Sequence, residues 1–342
     1  SLDVQATPHL TDDGITTNGN VVVRNIGFEA SRIHGSPVDG IALNADWTID
    51  IYPEAHKIVL DIPSMTLMDA GEVRMSATIE HLDRALPKID LKLDIPEQDC
   101  RHLVGSIPPA MVPRLDGLVL QGVMKGSVSA RVDLANPRSY EHNIDIDLSQ
   151  CQPAQYGRVN VSKLNDSFIH DVVEKGQRIG ITVGPGTWHY RALHRIPEHV
   201  QMGALATEDH SFFKHEGFRP SLIRRAVVMN LEGGRYVYGG STITQQLVKN
   251  LFLSREKTLT RKLEEAIIVW MVENAISKKR ILELYLNCIE YGPSLYGLEN
   301  ASQAYFGKPV EELNALEGAF LMGLKPYPWA GWKQFERGYV KP

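Results

Sequence analysis

The sequence predicts an α+β protein of two domains, an antiparallel β domain followed by a mainly α-helical one. Three observations predict it. Apolar and polar residues alternate with period two before about residue 150, the apolar spacing becomes helical from Glu198, and Gly184-Pro185-Gly186 and Ile196-Pro197 break the stretch between. We therefore expect an all-β domain over 1–150, a connecting region over 151–197 and a helical domain over 198–342. A chain of 342 residues is long enough for two such cores.

The cleanest strand is Lys88 to Ile95, with Ile89, Leu91, Leu93 and Ile95 on one face. Val128, Ala130, Val132 and Leu134 alternate with Ser129, Arg131 and Asp133, and Ile144, Ile146 and Leu148 alternate with polar residues. Such strands are expected to bury one face and wet the other. Asp69-Ala70-Gly71 and Ala135-Asn136-Pro137 supply turns.

In Ser241 to Phe252, Ile243, Leu247 and Leu251 recur every four positions, while Thr242, Gln246, Lys249 and Asn250 share another face. Gly239-Gly240 gives the preceding turn, and Thr242 with Gln245 fits a capping box. Thr260 to Ile276 reads as a longer helix, apolar almost all round after Glu265 and so central to a core. Two more helices are expected at Ser277 to Asn287 and Val310 to Leu324, with a glycine-containing loop, Tyr291 to Gly297, between them.

The net charge of -5 argues against a nucleic-acid partner. The run from Lys249 to Arg280, with Arg255, Lys257, Arg261, Lys262, Lys278 and Lys279, fits either a solvated helix face or an anionic ligand. Cys100, Cys151 and Cys288 are odd in number and far apart, which suggests neither a disulfide framework nor a zinc site. No run of about 18 apolar residues spans a bilayer. Ser1-Leu2-Asp3 does not begin a signal segment, so the chain is expected neither to cross a membrane nor to target itself.

Glu208-Asp209, followed by Phe212-Phe213 and His215, is a weak signal alone, because an acidic pair at a helix edge is commonly a cap. Glu265 sits where its helix turns apolar, so its carboxylate must be paired or liganded. An ion pair with Arg261, four residues earlier on the same face, would satisfy that. It would not explain why Lys249, Arg261 and Lys262 accompany two glutamates and a set of amides. A pyrophosphate leaving group would, since cations stabilise the charge that develops as the bond to phosphate breaks.

Ala206-Thr-Glu-Asp-His-Ser-Phe-Phe-Lys-His-Glu-Gly217 resembles the first signature of glycosyltransferase family 51, the peptidoglycan transglycosylases of bifunctional penicillin-binding proteins and monofunctional enzymes. Gly239-Gly-Ser-Thr-Ile-Thr-Gln-Gln-Leu-Val-Lys-Asn250 is similar to the second and Arg261-Lys-Leu-Glu-Glu265 to the third. Lys279 to Asn287, Tyr296 to Lys308 and Leu316 to Pro326 continue the pattern. Ser254-Arg-Glu-Lys257 has the spacing of a penicillin-binding nucleophile motif, but no Ser-x-Asn or Lys-Thr-Gly partner follows, so the resemblance is to the monofunctional type.

The resemblance implies a lysozyme-like catalytic domain that polymerises lipid II at the periplasmic face of the inner membrane of a bacterial envelope, with any anchor outside this chain. It implies Glu208 as the general base toward the acceptor 4-hydroxyl, and Glu265 as the second acidic residue, at the donor pyrophosphate. Glu265 would act directly or through a divalent cation, Mg or Mn; no cofactor is required with certainty. Lys249, Arg261 and Lys262 would offset pyrophosphate charge. Ser241, Thr242, Gln246 and Asn250 would position substrate, and Asp209, Phe212 and His215 would shape the first motif. Implied partners are lipid II, the growing glycan chain, the membrane surface and other cell-wall synthesis proteins.

Asn300, Cys288, Glu290 and the segment Trp329 to Pro342 depart from the family pattern. Gly217 to Tyr238 reads either as an amphipathic helix or, from the resemblance, as a membrane-dipping segment. The β region, with Pro108 to Pro113 and Gly117 to Leu134, resembles AsmA-type envelope proteins with lipid-facing grooves; a spacer or docking module is the alternative. Two rival activities remain. Two glutamates on such a scaffold could hydrolyse glycan, although Gln246, Lys249 and Arg261 favour polymerisation. An inactive module that binds lipid II or glycan is the other.

Overall fold

The computed structural model describes residues 1–30, 33–68, 71–174, 177–235, 239–254, 256, 258–325 and 327–338, without the side chains of Phe28 and Glu174. Part of the turn at Asp69-Ala70, Arg255 and Lys257 of the basic run, Pro326 and the ends of two expected segments, 236–238 and 339–342, lie outside the described residues. The chain groups into two compact units, Ser1–Val159 with Pro220–Gly240 and Glu256–Leu263, and Asn160–Arg219 with Ser241–Arg255 and Glu264–Pro342.

The first unit is built on β1 (Leu2–Thr11), β2 (Gly14–Phe28), β3 (Val38–Tyr52), β4 (Lys57–Leu67), β5 (Glu72–Glu80) and β6 (Lys88–Asp99). A short helix, α1 (His102–Gly105), and β7 (Leu118–Gln121) precede β8 (Val123–Asp133) and β9 (Asn136–Asp147). Eight strands form one antiparallel sheet in the order β1-β2-β3-β4-β5-β6-β8-β9. Its register lines up apolar side chains across seven strands, Leu10, Ile15, Ile51, Ile58, Ile79, Ile89 and Val132 in one row. Such cross-strand neighbours are the unit of sheet stabilisation. That face is less covered than the alternation predicts: Leu91, Ile144 and Ile146 are 44%, 49% and 41% exposed. Alternation fixes which side chains share a face, whereas covering that face needs a second layer.

The cysteine expectation is corrected here, since Cys100 and Cys151 form a disulfide across 51 residues. The cause is a pairing far apart in sequence. β7 pairs with β10 (Gln152–Tyr156), which sets Gln121 opposite Gln152. The Cys100 N–H donates to the Gly122 carbonyl at 3.0 Å, and the two thiols meet.

The second unit begins with a 3-10 turn, Val161–Asn165, and a hairpin of β11 (Phe168–Glu174) and β12 (Gln177–Val183). Residues 151–197, expected as a connection, thus carry ordered elements of both units. Helices follow: α2 (Glu198–Glu208), α3 (Pro220–Gly233), α4 (Ile243–Phe252), α5 (Leu259–Ala275), α6 (Lys278–Cys288), α7 (Leu298–Phe306), α8 (Ala315–Gly323) and α9 (Pro328–Glu336). The loop expected at Tyr291 to Gly297 holds a small hairpin of β13 (Glu290–Gly292) and β14 (Leu295–Tyr296). The core gathers Ile243, Leu247 and Val248 of α4, Ile267, Ile268, Val269, Met271 and Val272 of α5, and Ile281, Leu284, Tyr285 and Leu286 of α6. The helix expected over Val310 to Leu324 is divided. Val310–Glu312 is a 3-10 turn, and Asn314 with Glu317 then makes a capping box that starts α8.

α3 groups with the first unit, where Arg224 donates from Nε to the Tyr140 carbonyl at 2.9 Å and through its guanidinium to the Arg138 carbonyl at 2.7 Å. Arg138 also pairs with Glu232 at 2.8 Å. No helix among the described residues is long and apolar enough to cross a membrane.

Candidate active site

The site is organised by the start of α4. Thr242 adopts the extended backbone of an N-cap; its hydroxyl accepts from the Gln245 N–H, and the Gln245 side chain accepts from the Thr242 N–H at 3.0 Å. The capping box is therefore present as expected. The same hydroxyl donates to the Gly217 carbonyl at 2.6 Å, which fastens α4 to the end of the first motif. Thr242 is fully buried, so its part is to position α4, whereas Ser241 beside it is half-buried.

Gln245 and Gln246 then point the two halves of the site. Gln245 Nε2 donates to Glu265 Oε1 at 3.2 Å, and Gln246 Nε2 donates to Glu208 Oε2 at 2.7 Å. Glu265 is only 1% exposed, and the amide meets its need for a partner in the apolar part of α5. Glu264 beside it is buried as well.

Glu208 is the last residue of α2 and Asp209 is its C-cap. The capping alternative fails for Glu208, because side-chain carboxylates cap N-termini and the C-terminal end of a helix is its negative pole. Asp209 is different. Buried at 1% exposure, it accepts from His215 Nε2 at 2.9 Å, from Arg219 at 3.5 Å and from the Ile243 N–H at the start of α4 at 3.4 Å. It ties the first motif to the second. Phe212 is fully buried against His215 and under the Lys278 ammonium, 4.5 Å from its ring centre. Asp209, Phe212 and His215 thus meet at one corner of the chain, where Asp209 and Phe212 are almost wholly buried.

Behind Gln246 lies a pair of residues that the sequence reading did not single out. The Tyr285 hydroxyl donates to Gln246 Oε1 at 3.2 Å, and Lys325 Nζ donates to that hydroxyl at 3.1 Å while standing 4.2 Å from the ring centre. Burial pushes the Tyr285 hydroxyl well above the usual phenol range, and the nearby Glu208 charge adds to this. Burial lowers the Lys325 ammonium to about 7, opposed by Glu208. A basic residue ending an apolar run, Leu321-Met322-Gly323-Leu324-Lys325, was the signal that could have found it.

Lys249 and Asn250 are exposed near the end of α4, on the turn after Gln246. Arg261 and Lys262 stand half-buried in the first turn of α5, within the part of that helix grouped with the first unit.

Residues 182–337 match the protein family described as Transglycosylase. Penicillin-binding protein 1A of Aquifex aeolicus is 49% identical over 154 residues, 45% of this chain and 21% of that protein. The biosynthetic peptidoglycan transglycosylase of Alcanivorax borkumensis is 46% identical over 139 residues, 41% of this chain and 57% of that protein. The protein of the same description from Methylobacillus flagellatus is 46% identical over 134 residues, 39% and 58% of the respective chains. The match thus spans less than three fifths of each of these curated relatives.

Proposed function

From a domain of the transglycosylase family over residues 182–337, we propose that the chain is an inverting peptidoglycan glycosyltransferase. It polymerises lipid II into β-1,4-linked glycan and releases undecaprenyl pyrophosphate. The observation that carries this reading is the 2.7 Å hydrogen bond from Gln246 to Glu208, which joins the first two family signatures at one carboxylate. A donor held on Oε2 restrains the carboxylate, and in this reading Oε1 takes the acceptor's 4-hydroxyl.

Glu208 takes the hydroxyl proton as the oxygen forms its bond to the anomeric carbon of the growing chain. Attack comes from the face opposite the pyrophosphate, whose bond to that carbon breaks with the electron pair leaving on phosphate oxygen, so the configuration inverts. Lys249, Arg261 and Lys262 offset the charge that builds there, with Ser241 and Asn250 holding sugar and phosphate. Glu265, held by Gln245, is the acidic group of the donor side.

Among the described residues no three carboxylate, imidazole or thiol side chains come together as a cation cage. Glu265 would be the carboxylate to hold a divalent cation, which would supply positive charge at the pyrophosphate, and no step here runs through a metal. In this reading the helical unit is lysozyme-like and the site works at the periplasmic face of the membrane. The disulfide supports an oxidising compartment.

Purified chain incubated with labelled lipid II, detergent and magnesium is expected to yield polymer that a muramidase digests. Glu208→Gln is expected to lower the rate by about 10²- to 10⁴-fold, the usual contribution of a general base. An absence of polymer from the wild type would turn the reading to an inactive module that binds lipid II or glycan.

A further inference from the structure

The basic groups assigned to pyrophosphate do not include Lys325, which stands two residues beyond α8 with its ammonium against Tyr285. A cation in such surroundings must be compensated. The titratable groups that face it are Glu208 from the end of α2 and Tyr285 from α6, while Asp209 and Tyr291 face Tyr285 in turn. Of these Glu208 is the one that favours the ammonium.

The hydrogen bonds between Lys325 and Glu208 have one direction. An ammonium can only donate, so the Tyr285 hydroxyl accepts from Lys325 and donates to Gln246 Oε1. The Gln246 amide is thereby fixed with Oε1 toward Tyr285 and Nε2 toward Glu208. A run of donors aligned toward a carboxylate strengthens each link. We propose that Lys325 is a positioning residue for the base, locking the Glu208 carboxylate through Tyr285 and Gln246 in a chain of donors that all point toward it. The inference deepens the glycosyltransferase reading and rests on it.

The lock has a pH-dependent end. Burial disfavours the charged amine, so near neutral pH Lys325 passes between ammonium and amine. As a neutral amine it can accept from Tyr285, which releases the phenol from Gln246 and lets the amide turn. Activity is therefore lost as pH rises through the Lys325 midpoint.

Two readouts test this on the full chain. The first needs no substrate. With lysine labelled by carbon-13 at Cε, one signal, assigned by its loss in Lys325→Arg, is expected to titrate near 7, far below the value of about 10.4 for a free lysine. In Glu208→Gln its midpoint should fall further, because the opposing charge is gone. Titration of every lysine near 10.5, or a midpoint indifferent to Glu208→Gln, overturns the proposal.

The second readout is the pH profile of lipid II polymerisation. Lys325→Met and Tyr285→Phe, each first shown to be folded by thermal unfolding, are expected to lower kcat about tenfold with KM within about twofold, and to flatten the alkaline limb. An unchanged alkaline limb in Lys325→Met overturns the lock. If the wild type makes no polymer while the lysine titration behaves as expected, the glycosyltransferase reading falls and the lock on Glu208 stands.

Discussion

Thr242 shows how much one side chain does at this site. Its hydroxyl accepts from the N–H of Gln245 and donates to the buried Gly217 carbonyl, so it caps α4 and joins it to the first motif. Thr242→Val keeps the shape and removes both bonds. Loss of an N-cap costs about 1 kcal/mol, and a buried carbonyl left without its donor costs about 1–3 kcal/mol more. Thermal unfolding is expected to show a clear fall in Tm for Thr242→Val and a small one for Thr242→Ser, which retains the hydroxyl; equal falls would mean that only packing matters. The cap was legible in the sequence because its two partners are three residues apart. Tyr285 and Lys325 were not singled out, because each meets its partner across about forty residues, and spacing carries no signal over that distance.

At the scale of elements, local rules read well wherever the cause was local. The four-residue period and capping box of α4 and the apolar run of α5 gave helices where the structure has them. The stretch from Val310 was expected as one helix because its apolar content is continuous, but Asn314 offers a side-chain acceptor that starts a new helix at Ala315. The close approach of Gly217 to α5 was beyond local reading. Its φ is +81°, and a Cβ there would lie 2.4 Å from Val269 Cγ1. Gly307, the left-handed cap of α7, has φ +67° and open space around it. Gly307→Ala is therefore expected to cost about 1–2 kcal/mol, the left-handed strain alone. Gly217→Ala carries the same strain plus a clash with a β-branched side chain, and overpacking adds about 1–3 kcal/mol. Denaturant midpoints of the two variants check the order; a Gly217→Ala no less stable than Gly307→Ala would place the first motif further from α5 than the structure has it.

At the scale of the whole molecule, composition and period divided a β part from a helical part, but they did not tell which segments return to the first unit or which thiols pair. Both depend on strands and helices that meet across long stretches of chain. The Cys100–Cys151 bond closes 51 residues that contain β7, β8 and β9. On the chain-entropy estimate a loop of that length stabilises the folded state by about 4 kcal/mol, because it restricts the unfolded chain. In the second unit Cys288 is buried with its thiol pushed up to about 12, so it stays protonated and inert to exchange. Reduction should therefore act on the first unit alone. Hydrogen exchange of the double variant Cys100→Ser, Cys151→Ser is expected to show lost protection in β6, β7 and β10, with the amides of α4 and α6 unchanged. Equal loss in both units would mean that they unfold as one, and equal protection in both would mean that the β7–β10 pairing holds without the bond.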